Sequence, residues 1–196
     1  QAADSGNTKA QLMLGLRYSE GNGVRKDDAI AAKWLSRAAA SGNAVAQFSL
    51  GLLYEQGRGV TKDGGEARSW YEKAALSGNR KAMHNLAVLY ADGGAGAKDY
   101  ALAASWFKTA AELGNRDSQY NLALLYERGL GVPENLVEAY KWFAIAAEQN
   151  DADAKKKMTE LEGRMAAKDL KLARQAVSVF RPKPMNPGSN DVPAAF

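Results

Sequence analysis

Ala46-Gln47-Phe48-Ser49-Leu50-Gly51-Leu52-Leu53-Tyr54-Glu55-Gln56-Gly57-Arg58-Gly59-Val60 and, after six intervening residues, Ala67-Arg68-Ser69-Trp70-Tyr71-Glu72-Lys73-Ala74-Ala75-Leu76-Ser77-Gly78-Asn79 form the stretch on which the fold turns. Its landmarks recur at a constant step of 36 residues. Trp34, Trp70, Trp106 and Trp142 keep that step, as do Leu14, Leu50, Leu86 and Leu122; Tyr18, Tyr54, Tyr90 and Tyr126; and Gly21, Gly57, Gly93 and Gly129. Equal spacing without an insertion means one structural unit copied four times, because each copy must stack on its neighbour with the same geometry.

Each unit reads as two helices and two turns. Ala46, Leu50, Gly51 and Tyr54 fall on one face at helical spacing. Gly51 and its counterparts Gly15, Ala87 and Ala123 stay small, which lets a neighbouring helix approach. In the second helix Ala67, Trp70, Ala74 and Ala75 share a face, with Trp70 expected to fill the space between units. Gly57-Arg58-Gly59-Val60 supplies a left-handed stop and a tight turn. Asp63 with Glu66, and Asn135 with Glu138, have the spacing of capping boxes. Ser41-Gly42-Asn43 and Ser77-Gly78-Asn79 close one unit and cap the next. Unit three departs at Asp92-Gly93-Gly94-Ala95-Gly96-Ala97, where the extra glycines predict the most mobile turn. The expected fold is all-α.

The start, Ala2-Ala3-Asp4-Ser5-Gly6-Asn7, matches Ala38–Asn43, so the four repeats assigned to residues 1–151 begin in mid-unit. That start is read as a mature fragment or an excised piece, without a signal peptide of its own. After residue 151 the pattern stops. Ala154, Met158, Leu161 and Met165, then Ala166, Leu170, Ala173, Val177 and Phe180, mark two amphipathic segments, assigned as capping helices over residues 152–180. Four of the five prolines lie in residues 181–196, which predicts an extended tail with no core of its own.

The 196 residues contain no cysteine, which removes disulfides, thiolate metal sites and cysteine nucleophiles together. No apolar run approaches the ~20 residues of a membrane span. The net charge of +4 is concentrated: nine bases face three acids between Lys155 and Lys183. The array itself is near neutral, so nucleic acid is not expected as a partner. His84 is the single histidine and has neither a nucleophile nor further strong ligands in pattern around it; it reads as a surface residue. Glu160 and Glu162, two apart, do not face each other on a helix. The glycine-rich turn of unit three lacks the lysine and Ser/Thr of a phosphate loop. No enzyme, metal site or cofactor is expected.

The motif Ala-x-x-x-Leu-Gly-x-x-Tyr-x-x-Gly-x-Gly-Val (Ala46 to Val60), then Ala67-x-x-Trp70-x-x-x-Ala74-Ala75-x-x-Gly78, resembles the Sel-one-like repeat (SLR) family, a relative of tetratricopeptide repeats. The resemblance covers roughly residues 2–151 and implies a right-handed α-solenoid, ended here by a C-terminal helical cap, acting as a non-catalytic protein-interaction adaptor. More narrowly, Gly131-Val132-Pro133, Glu138 to Ala144, Asp153-Ala154-Lys155-Lys156 and Leu172 to Pro184 resemble the periplasmic end of alphaproteobacterial polar localisation factors of the PodJ type. That narrower resemblance implies a periplasmic module at the cell pole that recruits envelope proteins. Two alternatives stay open: a module binding cell-wall glycan or another anionic ligand, and a periplasmic regulator of a signalling receptor.

By analogy with tetratricopeptide arrays, the first helices line a groove. The candidate partner-binding residues there are Phe48, Ser49 and Gln56 in unit two, Lys81, His84, Asn85 and Asp92 in unit three, and Asp117, Tyr120, Asn121 and Arg128 in unit four. Phe48 and Tyr120 are the candidate aromatic anchors. Asn85 and Asn121 are placed to bond an extended peptide backbone. A basic cap of Lys168, Lys171 and Arg174 is either a solvated face or a contact for an anionic partner.

Overall fold

The computed structural model describes residues 2–94 and 96–192, and among these every regular element is helical. Four helix pairs come first: α1 (Thr8–Glu20) with α2 (Asp28–Ala40), α3 (Ala44–Gln56) with α4 (Gly64–Leu76), α5 (Arg80–Asp92) with α6 (Tyr100–Glu112), and α7 (Arg116–Arg128) with α8 (Leu136–Glu148). Then follow α9 (Ala152–Glu162), α10 (Ala167–Val179) and a single turn, α11 (Pro187–Asn190). Each second helix packs on the first helix of its own unit and on the first helix of the next, which builds an α-solenoid.

The punctuation explains why every repeat helix has the same length. Asn7, Asn43, Asn79 and Asn115 each accept a hydrogen bond from the amide three residues on, satisfying an orphan donor at the start of a first helix. Gly21, Gly57, Gly93 and Gly129 end those helices in the left-handed conformation. The second helices start on Asp27, Asp63, Asp99 and Asn135.

The capping boxes are half made. Asp63 accepts from Gly65 and Glu66, but its own N–H donates to the Tyr54 carbonyl at 3.0 Å. Asn135 likewise donates to Tyr126 at 2.9 Å. Glu66 and Glu138 turn instead to the indoles of Trp70 and Trp142, at 3.2 and 3.1 Å. The backbone donor that a capping box satisfies is already taken by the preceding helix, which frees the carboxylate for the tryptophan.

The tryptophans are not the deepest residues. Trp34, Trp70 and Trp106 are half-buried, whereas the residues after them, Leu35, Tyr71 and Phe107, are at most 2% exposed, as is Phe143 after Trp142. Close approach at the small position is what admits them: a Cβ on Gly51 would lie 2.6 Å from the Tyr71 ring, and one on Gly15 2.7 Å from Leu35. Trp142 alone of the four is buried, because α10 packs on α8 and Phe180 meets its ring edge-on at 5.4 Å.

Units also lock through their turns. A Cβ on Gly59 would fall 2.0 Å from the Asp28 carbonyl of unit one, and one on Gly131 2.2 Å from Tyr100 of unit three. Arg58 adds a two-pronged contact to Asp28, at 2.6 and 3.1 Å, and this holds the Asp28 carboxyl below its usual range. The corresponding position of unit three is Ala95, so part of the turn expected to be mobile lies outside the described residues.

The tail is not a free extension. From Phe180 it runs back along the array, and its Ser189 is buried at 6% exposure. Polar groups rather than an apolar core hold it there.

Candidate functional site

The first-helix positions divide into two kinds. Phe48, His84 and Tyr120 occupy equivalent places and lean on their own second helices. Phe48 lies 5.8 Å from the Tyr71 ring, His84 5.7 Å from Phe107, and Tyr120 5.4 Å from Phe143, edge-on. All three are half-buried. Their rings extend the packing around the small first-helix position instead of standing free. Asn85 is also engaged internally: its amide donates to the Tyr71 hydroxyl at 3.1 Å, and that hydroxyl donates to Glu55 at 2.6 Å. Burial, with the Glu55 carboxylate beside it, pushes the Tyr71 phenol far above its usual value. Ser49 donates to the Val45 carbonyl one turn back, at 2.8 Å.

The other candidates face outward. Gln56, Lys81, Asp92, Asp117 and Arg128 are exposed. Asp117 pairs with its neighbour Arg116 at 3.0 Å. Three candidates converge: Asp92, Asn121 and Arg128 line one open cleft of about 300 Å³, with Val88, Tyr100 and Leu124 among its apolar walls. It is built from α5, α6, α7 and the turn after α7. The cleft therefore presents both signs of charge and a carboxamide over an apolar floor.

The Sel1 repeat model matches this chain four times, over residues 8–43, 44–79, 80–115 and 116–151. The chain belongs to the Sel1 repeat family. Each matched span is one whole helix pair with the junction that follows it. Among solved structures, the Sel1 array is similar to a protective antigen of uropathogenic Escherichia coli displaying an SLR fold. The identity is 37% with a TM-score of 0.79, over 90% of this chain and 39% of that one. It is also similar to a Sel1 repeat protein from Oxalobacter formigenes, at 32% identity and a TM-score of 0.77, over 89% of this chain and 74% of that one. This chain thus spans well under half of the E. coli antigen. No curated protein sequence matches it significantly.

Beyond the Sel1 units, part of the basic segment is bound into the cap. Lys157 and Arg164 both pair with Glu127, at 3.4 and 2.9 Å, fastening α9 to α7. Arg174 pairs with Glu162 at 3.0 Å, and Tyr140 donates to the same carboxylate at 2.7 Å. Those contacts hold the Glu162 carboxyl below its usual range, the Tyr140 bond foremost. All three residues read as a basic cap are exposed, and of them Arg174 pairs with Glu162. No helix of the described residues is long and apolar enough to cross a membrane.

Sequence reasoning missed the Sel1 junctions that hold the tail, Ser77–Arg80 and Glu112–Gly114. The turn-forming Asn186-Pro187-Gly188 was a usable signal, since an Asn before Pro-Gly is placed to start a turn. In the structure Asn186 caps that turn by accepting from Gly188 at 3.0 Å.

His84 provides a pH test of the Sel1 packing. Its Nδ1 lies 2.9 Å from the hydroxyl of Ser118, which is fully buried on the next first helix. Burial lowers its pKa from the usual 6.5, while Asp117 partly opposes the shift. Between the folded and unfolded values the unfolded chain binds more protons, so stability falls as pH drops below the unfolded value and levels off below the folded one. The melting temperature should decline from about pH 7 to pH 5 in the wild type and decline less in His84→Phe. Thermal melts across that range check this; equal slopes for the two chains would refute it.

Proposed function

We propose that this chain is a non-catalytic scaffold whose first-helix face receives a segment of a partner protein. Sel1 repeats generally mediate protein–protein interaction. The observation that supports a site here is the cleft that gathers Asp92, Asn121 and Arg128 from two successive units. In the finer reading, the module is periplasmic, belongs to a polar localisation factor of the PodJ type, and positions envelope proteins at the cell pole. The motif in unit four and its extension supports that reading.

A photo-crosslinking residue at Asn121 should label a defined envelope protein, and Arg128→Glu should reduce the labelling at least tenfold. Tenfold corresponds to about 1.4 kcal/mol, modest for a charged contact at the centre of an interface. Sedimentation with purified wall sacculi runs beside it. Binding to sacculi with no protein labelled would replace this reading with that of a glycan-binding module, for which exposed Lys168 and Lys171 are the candidate contacts.

A further inference from the structure

The C-terminal tail is seated on the array as a ligand would be. Phe180 packs on Trp142. Three residues on, Lys183 donates its backbone N–H to the Glu112 carbonyl at 2.8 Å and its ammonium to the Glu112 carboxylate. Pro182 lies over Gly114. One unit back along the array, Ser189 and Asn190 engage the equivalent junction. The Ser189 hydroxyl donates to the Ser77 carbonyl, and the Asn79 amide donates to the Ser189 carbonyl. Arg80 N–H donates to Asn190 Oδ1 at 2.8 Å, and Asn190 Nδ2 donates to the Gly78 carbonyl at 3.0 Å. The Arg80 guanidinium joins the two junctions by donating to the Leu113 carbonyl at 3.0 Å.

These groups are the ones a helix boundary leaves free: the first amide of α5 and the carbonyls just beyond α4. Asn79 divides its carboxamide, with Oδ1 capping Ala82 at 2.9 Å and Nδ2 reading the tail. Pro182 meets Gly114 and Ser189 meets Gly78, so seven residues of tail span one 36-residue unit. The tail thus matches the repeat step between these two junctions. The junction backbones are alike, with Asn43, Asn79 and Asn115 at φ/ψ of −71/112, −75/108 and −75/109°.

We infer that this junction ledge is a peptide-binding site held closed by the chain's own tail. Its ligand is a segment of a partner protein with the chemistry of the tail beyond Phe180: an extended stretch carrying a lysine and, six residues further, a Ser-Asn pair within a helical turn begun by Asn-Pro. Residues 181–188 are exposed throughout, so lifting the tail beyond Phe180, which stays on Trp142, uncovers little apolar surface, and a matching segment in trans can displace it. The tail competes as an intramolecular occupant, so it lowers the apparent affinity for any trans ligand by the fraction of time the ledge is open. The ledge is distinct from the first-helix cleft, so this inference stands or falls separately from the scaffold reading.

The test uses a fluorescent synthetic peptide of residues 181–192, followed by anisotropy against the full chain. In S189A/N190A the resident tail is weakened, and the peptide should bind at least tenfold more tightly than to the wild type. Adding Asn79→Asp keeps the helix cap but removes the amide that reads the ligand, and should reverse the gain. Arg128→Glu in the cleft should change nothing. Thermal melts confirm that each variant is folded. Equal peptide affinity for wild type and S189A/N190A, or no effect of Asn79→Asp, would reduce the tail to a structural strap and overturn the inference. A wild-type dimer that the peptide dissociates in sedimentation would assign the ledge to a second copy of this chain, overturning the choice of partner.

Discussion

Replacing Phe143 with alanine is expected to destabilise the array by about 3–5 kcal/mol, the range for deleting a fully buried aromatic side chain. Phe143 has no exposed surface and receives the edge of Tyr120 at 5.4 Å. The cavity would open beside Ala123, the small position of its own unit, in the largest apolar cluster of the protein. Neighbours on α7, α8 and the cap cannot all move inward at once, so little of the loss is recovered. At this chain length the melting temperature should fall by roughly 10 °C. Trp70→Ala is the comparison that gives the result its meaning. Trp70 is half-buried, with Lys73 3.9 Å from its ring centroid and its indole bonded to Glu66. Its loss should cost well under half as much, about 1–2 kcal/mol. If thermal melts show Trp70→Ala to be the more damaging, the core has been placed on the wrong residue.

Gly59→Ala should cost roughly 3 kcal/mol, and Gly23→Ala about 1 kcal/mol. Both glycines have positive φ, +69° and +74°, so both alanines bear the penalty of the left-handed region. Only Gly59 has a neighbour in the way. A Cβ there meets the backbone of Asp28 and Ala29 at 2.0–2.6 Å, whereas one on Gly23 meets nothing within 4 Å. Backbone at a helix start cannot rotate aside as a side chain can. The clash is relieved only by separating unit two from unit one, which also strains the Arg58–Asp28 pair. The difference between the two melts therefore measures unit-to-unit stacking. Similar losses for both variants would show that the turn does not bear on the preceding unit.

The tail and the first-helix face show where sequence reading reached its limit. The positions of Phe48, His84 and Tyr120 change identity from unit to unit, which looks like a recognition surface when only sequence is available. The structure shows what they do there: each faces the residue after its unit's tryptophan, Tyr71, Phe107 or Phe143. A ring contact between two helices, 23 residues apart in the chain, is a packing relation that spacing alone does not display. Asp92, Asn121 and Arg128 were legible as outward-facing candidates, but their convergence on one cleft depends on how α5 stacks against α7.

What the sequence determined by itself was everything set by local geometry. The unit, its 36-residue step, its Asn and Asp caps and its glycine stops all follow from periodicity and from the conformations those residues favour. The tertiary structure alone decided three further things: which residue of each second helix is buried, which carboxylate answers which base in the cap, and where the proline-rich tail lies. The tail is the clearest case. Its composition predicts no core of its own, but composition has no term for polar groups that stacked units leave unsatisfied at their junctions. Those groups exist only once the helices have ended side by side, and it is they that hold Lys183, Ser189 and Asn190 in place.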